Sequence, residues 1–201
     1  MSKGKMIVIS GASGVGKGTV LGKMMEKRSD LTFSVSATTR PPRPNELDGV
    51  HYYFVTRERF EEMIQNNELL EYAQFVSNSY GTPRAYVEQQ LEKGLNVILD
   101  IEVQGARNIV NMIPDAVSVY MIPPSYEELE KRLRGRGTET EEQIQGRLQT
   151  AIEEAKAADF YRYIIVNDNL EVAVNELDAI ITAEKIGYDN RKNIVKEVFK
   201  L

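Results

Sequence analysis

Residues 5–21 read KMIVISGASGVGKGTVL, and the fold follows from this run. Met6 to Ile9 make a short apolar strand. A glycine-rich turn comes next, and then residues suited to a helix. From Gly11 to Lys17 the turn has the spacing G-x-x-x-x-G-K, that of a phosphate cradle. Glycine there lets successive backbone N–H groups converge on one anion, where a Cβ would block both the turn and the phosphate. A helix starting near Gly16 adds the positive end of its dipole. The candidate binding loop for a nucleotide's phosphates is therefore Gly11, Ala12, Ser13, Gly14, Val15, Gly16, Lys17, Gly18 and Thr19. Lys17 is expected to reach the β- and γ-phosphates. The loop departs from the usual pattern in one place. Ser or Thr normally follows the lysine and holds Mg²⁺, whereas here Gly18 follows it and Thr19 comes next. A metal is then expected to be held mainly by phosphates, water and a carboxylate elsewhere.

Outward from the loop, apolar strands are expected at 6–9, 96–101, 117–122 and 163–166. Helices at 16–28, 83–93, 103–112 and 125–136 alternate with them. Continuous apolar strands separated by helices imply a parallel sheet covered on both faces. Ser125 with Glu128, and Thr140 with Gln143, have the spacing of capping boxes. In the helix after Thr140, residues Ile144, Leu148, Ile152 and Ala155 are expected to share an apolar face. Two stretches break the alternation. Residues 36–82 read as an inserted lobe: an Arg/Pro-rich loop, a strand at 52–55, a helix at 57–66 and a strand at 69–75. Residues 125–158 read as a helical lid with arginines around Gly135 and Gly137. After Asn169 comes a helix to about Lys185, and the tail at 187–201 is polar and carries no readable pattern. The expected class is α/β: a parallel-sheet phosphate-loop core with helices on both faces, an inserted lobe and a helical lid. The core takes 1–35, 83–124 and 159–201, the lobe 36–82 and the lid 125–158.

With 201 residues and 42% hydrophobic content, the chain is long enough for one good core. A net charge of −5 argues against DNA or RNA as the main partner, while a small phosphorylated ligand needs only a local basic site. The chain has no cysteine, which excludes disulfides and thiolate metal sites. His51 is the only histidine, so a multi-histidine zinc site is excluded too. No signal-peptide core opens the sequence and no apolar run reaches a membrane span, so a cytoplasmic location is expected. Nothing in the sequence fixes the oligomeric state.

Residues 36–54 read SATTRPPRPNELDGVHYYF. Ser36, Thr38-Thr39-Arg40, Arg43, Glu46, Gly49, Tyr52 and Phe54 fit S-x-T-T-R-x-x-R-x-x-E-x-x-G-x-x-Y-x-F, the pattern of guanylate kinases. Glu71, Tyr80-Gly81-Thr82, the run DIEVQG at 100–105 and the run RGRGT at 134–138 are similar to later blocks of that family. The resemblance runs in order from about Lys5 to Lys185. It implies an adenylate-kinase-like phosphate-loop core, a GMP lobe and an arginine-bearing lid. It also implies transfer of the γ-phosphoryl of ATP to GMP, with Mg²⁺, giving ADP and GDP.

The residue chemistry agrees with that implication. A GMP phosphate is a dianion suited to bidentate guanidinium donors, and Arg40 and Arg43 share a proline-stiffened loop. Tyr52 and Tyr80 each bring a phenol O–H. Guanine presents N1–H and its 2-amino group on one edge, and a carboxylate accepts both. The resemblance gives that role to Glu71, with Ser36 beside it and Thr82 near O6. Asp100 ends the most apolar strand, where ligands of open α/β sheets bind, and is the candidate Mg²⁺ ligand, directly or through water. Glu102 stands where many members have Asp, at the GMP lobe. Arginines stabilise the charge on a transferring phosphoryl group. The resemblance favours Arg136 and Arg147 for this, then Arg132, and leaves Arg134 as a solvated helix residue. It sets Asn167 and Asp168 against adenine.

Two other classes are open. Guanylate-kinase-like domains of scaffold proteins bind phosphopeptides without catalysis, but they usually lack a working phosphate loop, and Lys17 and the glycines are kept here. A kinase for another monophosphate such as AMP is opposed by the block from Ser36 to Tyr52 and by Glu71.

Overall fold

The computed structural model describes residues 3–75, 77–135, 137 and 140–200. In chain order its elements are β1 (Met6–Ser10), α1 (Lys17–Lys27), β2 (Leu31–Phe33), β3 (Ala37–Thr38), β4 (Tyr53–Phe54), α2 (Arg57–Gln65), β5 (Leu69–Phe75), β6 (Asn78–Pro83), α3 (Arg84–Glu92), β7 (Asn96–Asp100), α4 (Val103–Met112), β8 (Val117–Ile122), α5 (Tyr126–Gly135), α6 (Glu141–Lys156), β9 (Tyr163–Val166), α7 (Leu170–Ile186) and α8 (Tyr188–Phe199). They fall into two compact units.

The first unit holds residues 3–9 and 30–116. Here β7 runs parallel to β1, from Met6 opposite Val97 to Ile9 opposite Asp100. On its other side β7 pairs in parallel with β2, from Leu31 opposite Asn96 to Phe33 opposite Ile98. Val97, Ile98 and Leu99 are fully buried, as befits a strand covered on both faces. The next residue, Asp100, is exposed, so the strand delivers a carboxylate at its carboxyl end. A second sheet has the order β4-β3-β6-β5. Helix α2 packs on it through Phe60 and Met63 against Ala37 and Leu69. Thr56 caps α2, its hydroxyl accepting from the Arg59 N–H at 3.2 Å.

The second unit holds residues 10–29 and 117–200 of the described chain. Strands β8 and β9 pair in parallel, from Val119 opposite Tyr163 to Ile122 opposite Val166. Helix α1 is fastened to α7 by Arg28, whose guanidinium donates to Asp178 at 2.7 Å and Thr182 at 3.0 Å. Helices α5 and α6 share a core of Leu129, Leu133, Ile144, Leu148 and Ala151, and Ala12 of the glycine-rich loop belongs to it.

Several expectations need correction. The polar tail, which carried no readable pattern, forms α8 over 188–199. On α6 the buried stripe is Ile144, Leu148 and Ala151, while Ile152 and Ala155 are exposed. On β9 only Ile165 is buried, and Ile164 and Val166 face solvent, so this strand is covered on one face alone. The box at Ser125 is half formed. Its hydroxyl accepts from the Glu128 N–H at 3.1 Å, but the Glu128 carboxylate accepts from Arg132 at 2.9 Å instead of returning to the cap. The box at Thr140 and Gln143 is complete. Strands β2, β3 and β6 were not expected.

Candidate active site

The glycine-rich loop lies in the second unit and leads into α1. Gly14 and Gly16 have φ of +95° and +93°, in the left-handed region that favours glycine. The Val15 N–H closes a turn on the Ala12 carbonyl at 3.1 Å. The Gly16 carbonyl accepts the first bonds of α1, from the N–H groups of Thr19 and Val20. Lys17 Nζ donates to the Gly11 carbonyl at 2.5 Å, which folds the ammonium back across the loop. Gly18 and Thr19 are exposed in the first turn of α1, and a Cβ at Gly18 would meet nothing within 4 Å.

Two arginines of the expected lid lie on this loop. Arg147 of α6 donates to the Ser13 hydroxyl at 2.6 Å. Arg132 of α5 donates to the Val15 carbonyl at 3.3 Å and the Asn167 carbonyl at 3.0 Å. Glu128 holds Arg132 from behind at 2.9 Å. Arg134 pairs with Glu130 at 2.8 Å and with Glu141, as a surface ion-pair residue does. Arg136 lies outside the described residues. Asn167 is buried, and its amide donates to the Val15 carbonyl at 2.8 Å. Sequence reasoning set Asn167 against adenine, and the structure turns its side chain onto the loop backbone.

The second cluster lies in the first unit. Glu71 on β5 is 6% exposed, and its Oε1 accepts from the Thr82 hydroxyl of β6 at 2.6 Å. A Cβ at Gly105 would fall 2.6 Å from Glu71 Oε2, so glycine in the first turn of α4 leaves the carboxylate its room. Burial pushes the Glu71 carboxyl above the usual range, against the opposing pull of the Thr82 bond. Ser36 is half-buried just before β3. Arg40 lies over the rings of Tyr52 and Phe54, at 5.4 and 5.8 Å from their centroids. The Tyr52 and Tyr80 rings meet edge-on at 6.1 Å. Burial, and then the nearby Asp100 carboxylate, raise the Tyr52 phenol and keep it a donor. Arg43 is exposed, and Glu102 is exposed at the N-cap position of α4 without a capping bond.

Glu46 belongs to the 36–54 pattern, and the sequence assigned it no role. Glu46 accepts from Arg40 at 2.9 Å and from the Arg43 N–H at 2.7 Å, so one carboxylate fixes both the guanidinium and its loop. It holds the Arg40 charge more firmly, and Arg40 in turn lowers the Glu46 carboxyl. The spacing of Glu46, three residues after Arg43, is the signal the sequence carries.

Among the described residues no group of three or more His, Cys, Asp or Glu side chains is arranged to hold a metal ion. The exposed Asp100 carboxylate at the end of β7 suits Mg²⁺, which binds through one or two carboxylates and otherwise through substrate phosphates and water.

The chain's relatives agree with one another. The family model described as guanylate kinase matches residues 3–184. A guanylate kinase of Clostridioides difficile (strain 630) is 46% identical over 200 residues, covering 100% of this chain and 98% of that protein. One of Synechococcus sp. (strain JA-3-3Ab) is 51% identical over 180 residues, 90% of this chain and 83% of that protein. The crystal structure of guanylate kinase from Anaplasma phagocytophilum superposes with a TM-score of 0.82 at 32% identity, covering 100% of this chain and 97% of that one.

Proposed function

The chain belongs to the guanylate kinase family, and from that premise we propose how its residues share the work. The reaction is transfer of the γ-phosphoryl group of ATP to GMP, giving ADP and GDP. The loop 11–19 takes the ATP phosphates on its N–H groups, and Lys17 follows the charge of the β- and γ-phosphates. Arg147, Arg132 and Arg136 serve the ATP side, with Arg136 and Arg147 stabilising charge on the transferring oxygens. Arg40, Arg43, Tyr52 and Tyr80 hold the GMP phosphate, and Glu46 keeps Arg40 aimed. Glu71 reads the N1–H and 2-amino edge of guanine, with Ser36 and Thr82 beside it and Glu102 at the rim. Asp100 holds Mg²⁺, directly or through water. When bound with ATP, the ion draws charge off the phosphate oxygens. We take 36–82 as the GMP lobe and 125–158 as the lid. ATP and GMP are the partners, and the cytoplasm is the compartment in which this reading places the enzyme.

The observation that carries the assignment is the loop itself: two left-handed glycines turn its backbone and Lys17 stands at its end. Lys17→Ala should remove most phosphoryl transfer, by about 10²-fold or more, because the lost charge acts where charge develops. Thermal unfolding should stay near the parent, since the residue serves the ligand and not the core. A folded variant with near-normal turnover would defeat the assignment.

A further inference from the structure

The Val15 carbonyl is gripped from two sides. Asn167 Nδ2 donates to it at 2.8 Å from the segment after β9, and Arg132 Nη1 donates to it at 3.3 Å from α5. Arg132 also donates to the Asn167 carbonyl at 3.0 Å, so the three groups form one closed set. Asn167 is 7% exposed. Its amide also fills the space behind Gly16, where a Cβ would lie 2.6 Å from Nδ2. The C=O of Val15 and the N–H of Gly16 belong to one trans peptide plane and point in opposite directions. Pinning the carbonyl on one side therefore aims the Gly16 N–H to the other. Among the described residues that N–H donates to no protein group.

We propose that Asn167 and Arg132 are positioning residues of the phosphate loop. Acting through the Val15 carbonyl, they hold the Val15–Gly16 peptide so that its N–H faces the ATP phosphates. Asn167 then serves the triphosphate and does not read the adenine base. The orphaned alternative is costly: with both donors gone, a carbonyl in the loop loses its bonds and the peptide is free to turn. This inference rests on the reading of 11–19 as the ATP phosphate cradle.

The test compares ATP with inorganic tripolyphosphate, which has no base. Calorimetric affinities of both, with Mg²⁺, are measured on the full chain, on Asn167→Ala and on Arg132→Gln, with Lys17→Ala as control. Both positioning variants should weaken ATP and tripolyphosphate by the same factor, about 5- to 30-fold, the effect of one lost buried hydrogen bond. KM for ATP should rise by a like factor while KM for GMP stays put, a split that general destabilisation does not produce. Loss of ATP affinity with tripolyphosphate unchanged would make Asn167 a base reader and overturn the proposal. So would unchanged affinities for both ligands in a folded variant, or an equal rise in both KM values. If Asn167→Ala does not fold, Arg132→Gln carries the same test from the other side of the carbonyl. If Lys17→Ala binds tripolyphosphate like the parent, the cradle reading itself fails, and that result is distinct from failure of the positioning role.

Discussion

In the proposed function the Glu71 carboxylate makes the choice of base. IMP keeps the guanine N1–H and lacks the 2-amino group, so it forfeits one charge-assisted bond, about 10- to 150-fold in specificity. Glu71→Gln replaces one acceptor with a donor and should depress kcat/KM for GMP much more than for IMP. The ratio of the two is the readout, and an unchanged ratio would remove Glu71 from the role. The raised carboxyl adds a pH dependence. The folded protein binds this proton more tightly than the unfolded chain, so the buried charge costs stability above the ordinary carboxylate range and protonation relieves it. Recognition runs the other way, because only the ionised form accepts from both guanine donors. The GMP:IMP preference should therefore collapse on acidification at a higher pH than an ordinary glutamate would give. Residues of this kind were legible in part. Glu71, Thr82 and Arg40 stood in recognisable spacing, but burial, the Thr82 bond and the Glu46 support arise from strands and loops meeting in space. Asn167 shows the same limit, since its partner Val15 lies at the other end of the chain.

Among the elements, α6 carries Arg147 to Ser13, and its attachment is a matter of caps and one stripe. Thr140→Ala removes a complete capping box and should cost about 0.5–2 kcal/mol, while Leu148→Ala empties a fully buried site and should cost about 2–5 kcal/mol. Urea unfolding of both variants checks this order, and a larger loss from the cap would contradict the packing described. The cap was legible because its two side chains are local. The stripe was legible only in part. At about 100° per residue, Ile152 falls about 80° from Ile144 and turns to solvent. Ala155 stays near the stripe but is exposed, beyond the buried contact with α5 that ends at Ala151. Strands β3 and β4 have two residues each and offer no period to read. Helix α8 leaves Tyr188, Ile194, Val198 and Phe199 exposed, so no buried face marked it in the sequence.

For the molecule as a whole, the sequence reading and the structure meet in the α/β class, because β1 and β7 carry continuous apolar runs, β8 one broken only by Ser118, and all three are buried nearly throughout. Among the described residues no helix is long and apolar enough to cross a membrane. A chain with net charge −5 that binds two anionic nucleotides must concentrate its cations locally, and four arginines do so in two sets. Arg132 and Arg147 serve the loop, and Arg40 and Arg43 serve the second cluster. The most direct measurement follows phosphorus with the purified chain, Mg²⁺, ATP and equal amounts of GMP, IMP and AMP in one vessel, resolved by ³¹P NMR and chromatography. ADP and GDP should appear together in equal amounts, with IDP far behind and AMP untouched. ATP consumed with release of inorganic phosphate and no GDP, or AMP phosphorylated ahead of GMP, would contradict the assignment of this chain as an ATP:GMP phosphotransferase.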